Sequence, residues 1–189
     1  MKNLKTLALA FIAIAGTFST VAQNKKINVE QSKITWVGKK ITGQHDGTIN
    51  FSSGTLVFEG KKLKGGSFEV DMTSITVKDL ESGKGKEKLE GHLKAEDFFG
   101  VDKFATSNLE FKTIASKGSD IYTITADLTI KEKTLPVTFD ITLGEGTART
   151  AFKVNRTKYG IQYGSGSFFD NLGDKAINDD FELTVSLVY

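Results

Sequence analysis

Several residue types are scarce in this sequence, and their scarcity excludes whole classes of function. The 189 residues include no cysteine, two histidines and one proline. Without cysteine there is no disulfide framework, no lipid-anchored cysteine and no thiol chemistry. His45 and His92 cannot build a three-histidine metal site, and neither lies beside a strained Gly-x-Ser-x-Gly turn. We therefore predict no catalytic residues, no metal site and no cofactor.

An excess of charge of one sign is also lacking. The chain has 25 lysines and arginines against 23 aspartates and glutamates. Such a balance gives no general attraction to nucleic acids or to acidic membrane surfaces, so we predict no nucleic-acid partner. The 19 glycines and the single proline suit a β protein with many tight turns.

The first 22 residues have the pattern of a signal peptide. Lys2 and Lys5 form a charged start, residues 7–15 form a short apolar run, and Thr20-Val21-Ala22 offers small residues for cleavage. The apolar run is too short for a transmembrane helix. We expect cleavage after Ala22, a periplasmic or secreted protein with no transmembrane segment in the mature chain, and a single domain over residues 23–189.

The clearest structural pattern covers residues 121–143. Apolar and polar residues alternate there in two runs, joined by the polar connector at residues 131–134. Successive side chains leave a strand on opposite faces, so a period of two indicates a strand. The two runs predict a long antiparallel hairpin with one apolar and one solvated face.

Similar alternation extends over most of the chain from Ser32 to Tyr189, and it predicts about eight to ten strands. We expect a turn at residues 52–54, a polar break at 61–66 and a loop at 159–174. Residues 78–93 are charged and interrupted by glycine, and residues 94–100 predict a short helical turn that would act as a lid. An open sheet of strands that are apolar on one face would expose both its edge strands and its apolar face to water. Closure removes both problems, so we expect an antiparallel barrel.

One set of side chains shares the inward parity on successive strands, and it either fills the barrel as a core or lines a tunnel for an elongated apolar ligand. The set consists of Trp36, Ile49, Phe51, Phe58, Phe68, Met72, Phe111, Leu128, Phe139, Phe152 and Phe181. A second set is predicted at the mouth or lid, comprising Lys40, His45, Phe98, Phe99, Arg156, Tyr159, Phe168 and Phe169. Of these, Lys40, His45, Arg156 and Tyr159 could meet a polar headgroup, and Arg156 could equally have a structural role.

Seven segments in a fixed order carry a resemblance to a known family. They are residues 32–36 (SKITW), 45–51 (HDGTINF) with 54–56 (GTL), 70–75 (VDMTSI), 92–94 (HLK) with 97–99 (DFF), 127–130 (DLTI) with 135–137 (LPV), 155–160 (NRTKYG) and Gly173-Asp174. Together they resemble the YceI-like family of exported polyisoprenoid-binding proteins, from about Ile27 to Tyr189. The chain departs from the family pattern at Phe104-Ala105, where a proline is usual, and at residues 131–133, where a glycine is usual.

The resemblance implies an all-β fold, namely an extended antiparallel eight-stranded lipocalin-like barrel with a short helical lid segment. It also implies a non-catalytic binding or carrier protein for a long-chain amphiphile, such as a quinone tail or a polyprenyl chain. Two alternatives stay open at this point. One is a structural or stress-response barrel protein with no physiological lipid, and the other is a hydrolase or isomerase that uses His45. The sequence also leaves open whether the barrel pairs with a second copy as a homodimer.

Overall fold

The computed structural model of the protein describes residues 21–189, so most of the predicted signal peptide, residues 1–20, lies outside the described residues. The described part contains nine strands and one α-helix. In chain order they are β1 (Ala22–Lys26), β2 (Lys33–Lys40), β3 (Gly43–Glu59), β4 (Lys62–Val77), α1 (Lys86–Lys94), β5 (Thr106–Gly118), β6 (Ile121–Ile130), β7 (Lys133–Gly144), β8 (Thr147–Asn155) and β9 (Ile177–Val188). Two short 3₁₀ turns, Arg156–Tyr159 and Gly173–Lys175, precede β9.

The strands from β2 to β9 close into one antiparallel barrel. Their order around the barrel is β3-β2-β9-β8-β7-β6-β5-β4, and β4 pairs again with β3. The ninth strand, β1, adds to the far half of β3, from Ala22 opposite Glu59 to Lys26 opposite Thr55. The predicted all-β, eight-stranded antiparallel barrel with one short helical segment is therefore confirmed.

The hairpin predicted at residues 121–143 forms almost as expected. On β6 the buried side chains of Tyr122, Ile124 and Leu128 alternate with partly exposed threonines and an aspartate. The connection to β7 consists of Lys131 and Glu132, whose φ angles are +50° and +65°. Two consecutive positive φ angles match the right-handed twist of the flanking strands, although glycine or asparagine is the usual choice there.

Residues 52–54 do not form the predicted turn, since β3 runs through them without a break. The pairing register with β4 shifts between Phe51 and Ser53, which marks a bulge inside the strand. Gly54 is required there because a Cβ atom would lie 2.6 Å from the Phe68 ring and 2.8 Å from the Ile27 side chain. The predicted break at 61–66 is shorter than expected, because only Gly60 and Lys61 separate β3 from β4, which already begins at Lys62.

The helix lies earlier in the chain than predicted. The prediction of a helical turn at 94–100 is wrong, because α1 covers Lys86–Lys94 and the following residues form turns. Glu87 in its first turn and His92 and Lys94 in its last turn complement the helix dipole. Leu93 is its buried residue. Within residues 21–189, no helix has the length and hydropathy that a membrane-spanning helix needs.

Candidate ligand-binding cavity

A cavity of about 170 Å³ lies inside the barrel. Each of the eight barrel strands contributes at least one side chain to its wall, and Leu93 of α1 and the rings of Phe98 and Phe99 close one end. The wall is almost wholly apolar. We define the upper end of the barrel as the end covered by α1, where β2, β4, β6 and β8 finish.

Ten of the eleven residues predicted for the tunnel line this cavity. They are Trp36, Ile49, Phe51, Phe68, Met72, Phe111, Leu128, Phe139, Phe152 and Phe181. Phe58 is placed elsewhere, because its ring packs on Tyr189 with the centroids 5.4 Å apart, and Lys25 Nζ lies 5.2 Å from its centroid. The contribution of these residues to ligand binding remains a prediction.

Aromatic rings follow one another around the wall from β3 to β8. Centroid distances are 6.0 Å from Phe51 to Phe68, 5.7 Å from Phe68 to Phe111, 6.1 Å from Phe111 to Phe139, and 4.6 Å from Phe139 to Phe152. The rings of Phe111 and Phe139 meet across β6 because Ala126, the residue paired with Phe111, has only a methyl side chain. Stiff rings that support one another can border a void without collapsing into it.

The two hydroxyl side chains in the wall are turned toward the backbone. Ser107 Oγ donates to the carbonyl of Thr129 at 2.7 Å, and Thr150 Oγ1 donates to the carbonyl of Asp140 at 2.7 Å. A hydroxyl bonded in this way presents mainly carbon to the cavity. The interior is therefore suited to hydrocarbon and offers little to a polar molecule.

Arg156 is the charged residue in the wall, and only 2% of it is exposed. Its Nε donates to the carbonyl of Asn178, Nη1 donates to the carbonyls of Ile161 and Tyr163, and Nη2 donates to the carbonyl of Ile177, all at 2.8 to 3.0 Å. Burial lowers the pKa of Arg156, and the nearby Asp179 opposes that shift. The guanidinium thus ties the loop after β8 to the first residues of β9.

The upper end is covered by a second set of contacts. Phe98 and Phe99 are buried, with their ring centroids 5.2 Å apart, and His92 of α1 lies 5.5 Å from the ring of Phe98. Lys131 Nζ, at the β6–β7 turn, donates to the carbonyl of Glu96 at 3.0 Å and to that of Phe98 at 2.8 Å. The cover is therefore tied to the barrel rim by hydrogen bonds.

The remaining predicted mouth residues do not line the cavity. Lys40 is exposed at the end of β2, and His45 Nδ1 lies 2.7 Å from Asp79 Oδ2 near the barrel surface. Phe168 and Phe169 are each 50% exposed in the loop that precedes β9. Tyr159 is buried, its hydroxyl has no hydrogen-bond partner within residues 21–189, and burial raises its pKa.

Several residues that line the cavity were not predicted from the sequence. Ile34, Val70, Leu109, Val185 and Leu187 have the inward parity of strands that were predicted, so the alternation itself was the signal for them. Leu93 and Ile177 lie in segments that showed no strand alternation, and no local pattern placed them at the cavity.

Comparison with known proteins agrees with this architecture. A family model described as the YceI-like domain matches residues 26–189. The chain belongs to the YceI-like family. A UPF0312 protein of Shewanella denitrificans is 31% identical over 101 residues, which are 53% of this chain and 50% of the relative. The chain thus spans about half the length of that curated relative.

Several solved structures share the fold of this barrel. BcnA of Burkholderia cenocepacia superposes with a TM-score of 0.69 at 20% identity, over 86% of this chain and 99% of BcnA. A polyisoprenoid binding domain of Saccharophagus degradans, implicated in plant cell wall breakdown, has a TM-score of 0.56 at 10% identity, over 86% and 95% of the two chains. The YCEI protein of Campylobacter jejuni has a TM-score of 0.55 at 16% identity, over 73% and 81%. At such low identities these likenesses show the fold alone.

Proposed function

We propose that the mature YceI-like barrel, exported after removal of residues 1–22, binds and carries a long-chain amphiphile of the polyisoprenoid class, such as a quinone or a polyprenyl lipid. The observation that carries this proposal is the cavity of about 170 Å³ inside the barrel, whose wall is almost wholly apolar and takes side chains from every barrel strand. A barrel that served only as a rigid structure would gain stability by filling this volume with its own side chains.

The chemistry of the wall suits a hydrocarbon chain. Burial of each methylene contributes roughly 0.8 kcal/mol before the losses of translational and conformational entropy are counted. A long isoprenoid tail can therefore be held without any strong polar contact. The name of the Saccharophagus degradans neighbour as a polyisoprenoid binding domain supports the same ligand class.

We propose binding without catalysis. His45, the histidine that the alternative catalytic hypothesis uses, pairs with Asp79 and lies outside the cavity wall. Within the wall, Ser107, Thr150 and Arg156 donate their hydrogen bonds to backbone carbonyls, which leaves none of them as a free nucleophile or proton donor. A hydrolase or isomerase would need such a group in contact with the substrate.

The first test is organic extraction of the purified protein, followed by mass spectrometry. We expect a co-purifying lipid with a long isoprenoid tail, and saturable binding of an added polyprenol or quinone. If no lipid is extracted and neither added compound binds, the barrel has a structural role and the carrier proposal fails.

A matched pair of variants tests whether the cavity is the binding site. Val185→Phe adds volume inside the cavity, whereas Thr184→Phe adds the same ring on the exposed outer face of the same strand. We expect Val185→Phe to weaken polyprenol binding at least tenfold while the melting temperature stays close to that of the wild type. Thr184→Phe should bind like the wild type, and equal binding by both variants would locate the ligand elsewhere.

A further inference from the structure

The barrel wall is interrupted between the upper parts of β7 and β8. These two strands are paired only from Ile141 opposite Thr150 to Gly144 opposite Thr147. Residues 133–140 of β7 pair with β6 alone, and residues 151–155 of β8 pair with β9 alone. We call this line, between residues 133–140 and 151–155, the seam.

Both ends of the seam are defined by specific contacts. At the lower end, Thr150 Oγ1 donates to the carbonyl of Asp140 at 2.7 Å. Asp140 is the residue next to the last β7–β8 pair, Ile141 with Thr150, so its carbonyl is bonded to a side chain of β8 and not to the β8 backbone. At the upper end, Gly160 lies beside Lys133, since a Cβ atom on this glycine would be 3.3 Å from Lys133 Nζ. The seam therefore begins beside a side-chain hydrogen bond and ends where the chain after β8 passes Lys133.

The inner border of the seam is apolar and touches the cavity. Phe139 on β7 and Phe152 on β8 follow the last ladder pair, and both line the cavity. Their rings stack with the centroids 4.6 Å apart and the planes inclined by 15°. Farther along β7, Val137 and Leu135 have the same inward parity and are only partly buried. A hydrocarbon chain that crosses the seam therefore meets hydrocarbon on the way to the cavity.

Separation of the strands at the seam breaks no ladder hydrogen bond, whereas separation of any fully paired strands does. Open strand edges also favour unwanted pairing with other chains, so proteins usually close or cover them. The upper end of the cavity is held shut by the bonds of Lys131 and Arg156 to loop carbonyls. The seam thus opens without the loss of a ladder hydrogen bond, as does the unpaired stretch between residues 62–66 of β4 and 111–118 of β5. The seam is bordered by two stacked rings that line the cavity.

We propose that the hydrocarbon chain of the ligand enters and leaves the cavity through the seam, and that the stacked rings of Phe139 and Phe152 move apart to let it pass. The proposal rests on the function proposed above, because it concerns the route to the same cavity. It places the polar headgroup at the outer side of the β7–β8 wall while the tail lies inside.

The absence of cysteine allows the seam to be closed chemically. Continuation of the Ile141–Thr150 register places Thr138 opposite Lys153, and both are exposed on the outer face. The double variant Thr138→Cys/Lys153→Cys can be joined across the seam by a short bis-maleimide that contains a cleavable disulfide. The matched control is Thr142→Cys/Arg149→Cys, a pair of exposed residues on the same two strands where the ladder is intact.

The readout is the rate at which each cross-linked protein takes up and releases octaprenol that carries an anthraniloyl fluorophore. We expect the 138–153 cross-link to slow both rates at least tenfold, and cleavage of the linker to restore them. The 142–149 cross-link should leave both rates unchanged. Equal rates in the two cross-linked proteins would overturn the proposed route. If the wild type binds neither this probe nor an added quinone, and no lipid is extracted from it, the carrier proposal fails and the route fails with it.

Discussion

The Nη1 atom of Arg156 donates a hydrogen bond of 2.8 Å to the carbonyl oxygen of Tyr163. The same nitrogen donates to Ile161, and the other guanidinium nitrogens donate to two carbonyls at the start of β9. The guanidinium lies in the cavity wall, yet its donors are directed at the backbone. Of the two roles that the sequence left open for this residue, these bonds favour the structural one.

We predict that Arg156→Ala destabilises the protein by about 3 kcal/mol, because several buried carbonyls lose their donors at once. The free energy of unfolding, measured by urea denaturation, checks this value. The matched control is Lys158→Ala, which removes an exposed cation from the same 3₁₀ turn and should change stability by less than about 0.5 kcal/mol. A stable Arg156→Ala protein with an altered preference between charged and neutral lipid headgroups would instead assign Arg156 to the ligand.

Asp179 supports the same loop through its carboxylate. Its Oδ1 accepts a bond of 2.5 Å from Ser165 Oγ, its Oδ2 accepts one of 2.6 Å from Ser167 Oγ, and Arg156 Nη2 lies 3.8 Å away. Burial by itself would raise the pKa of this carboxyl, but the two hydroxyl donors and the guanidinium hold the pKa below its ordinary value of 3.8. The folded protein therefore favours the ionised form of Asp179.

A depressed pKa predicts the direction of a pH effect. The stabilisation by ionised Asp179 is complete above the ordinary pKa of 3.8 and is lost as the pH falls through the lower pKa of the folded state. We expect Asp179→Asn to be less stable than the wild type by about 1 to 2 kcal/mol at pH 7, and the difference should shrink only as the pH falls below 3.8. Urea denaturation at a series of pH values measures the difference, and a gap that does not change with pH would contradict the assignment.

The alternation of residues predicted which face of each strand looks inward, because side-chain direction in a strand is a local property. Trp36, Phe111 and Phe152 therefore lie in the cavity wall as expected from their parity. The alternation does not show how far along the barrel axis a residue lies. Phe58 has the opposite parity to Phe51 on β3 and is buried because the bulge between Phe51 and Ser53 reverses the alternation. It lies near the lower end, where it packs on Tyr189 instead of lining the cavity.

Other features depended on distant contacts that no local pattern reveals. The segment AQNKK has no alternation and forms β1 only because the edge of β3 is available to it. Ser52, Ser53 and Gly54 have the composition of a turn, yet a bulge absorbs them into β3 and the missing side chain of Gly54 makes room for Phe68. The seam was equally hidden, because alternation in β7 and β8 is the same whether or not the two strands pair.

The contact between Trp36 and Gly47 gives a last prediction, on the packing of β2 against β3. These residues are register partners, and a Cβ atom at Gly47 would lie 2.6 Å from the indole ring and 1.8 Å from the carbonyl oxygen of Thr76. The oxygen belongs to the backbone, so the strand itself must shift to relieve the clash. We expect Gly47→Ala to destabilise the protein by about 3 kcal/mol and to shift the tryptophan fluorescence, since Trp36 is the single tryptophan.

The control for this prediction is Gly91→Ala in α1, where no atom lies within 4 Å of the added Cβ. Alanine is favoured over glycine inside a helix, so this variant should gain about 0.5 to 1 kcal/mol. Opposite signs for the same chemical change would show that the loss at position 47 comes from the Trp36 and Thr76 contacts and not from the general cost of replacing a glycine. A Gly47→Ala protein as stable as the wild type would mean that the indole ring does not pack against this strand.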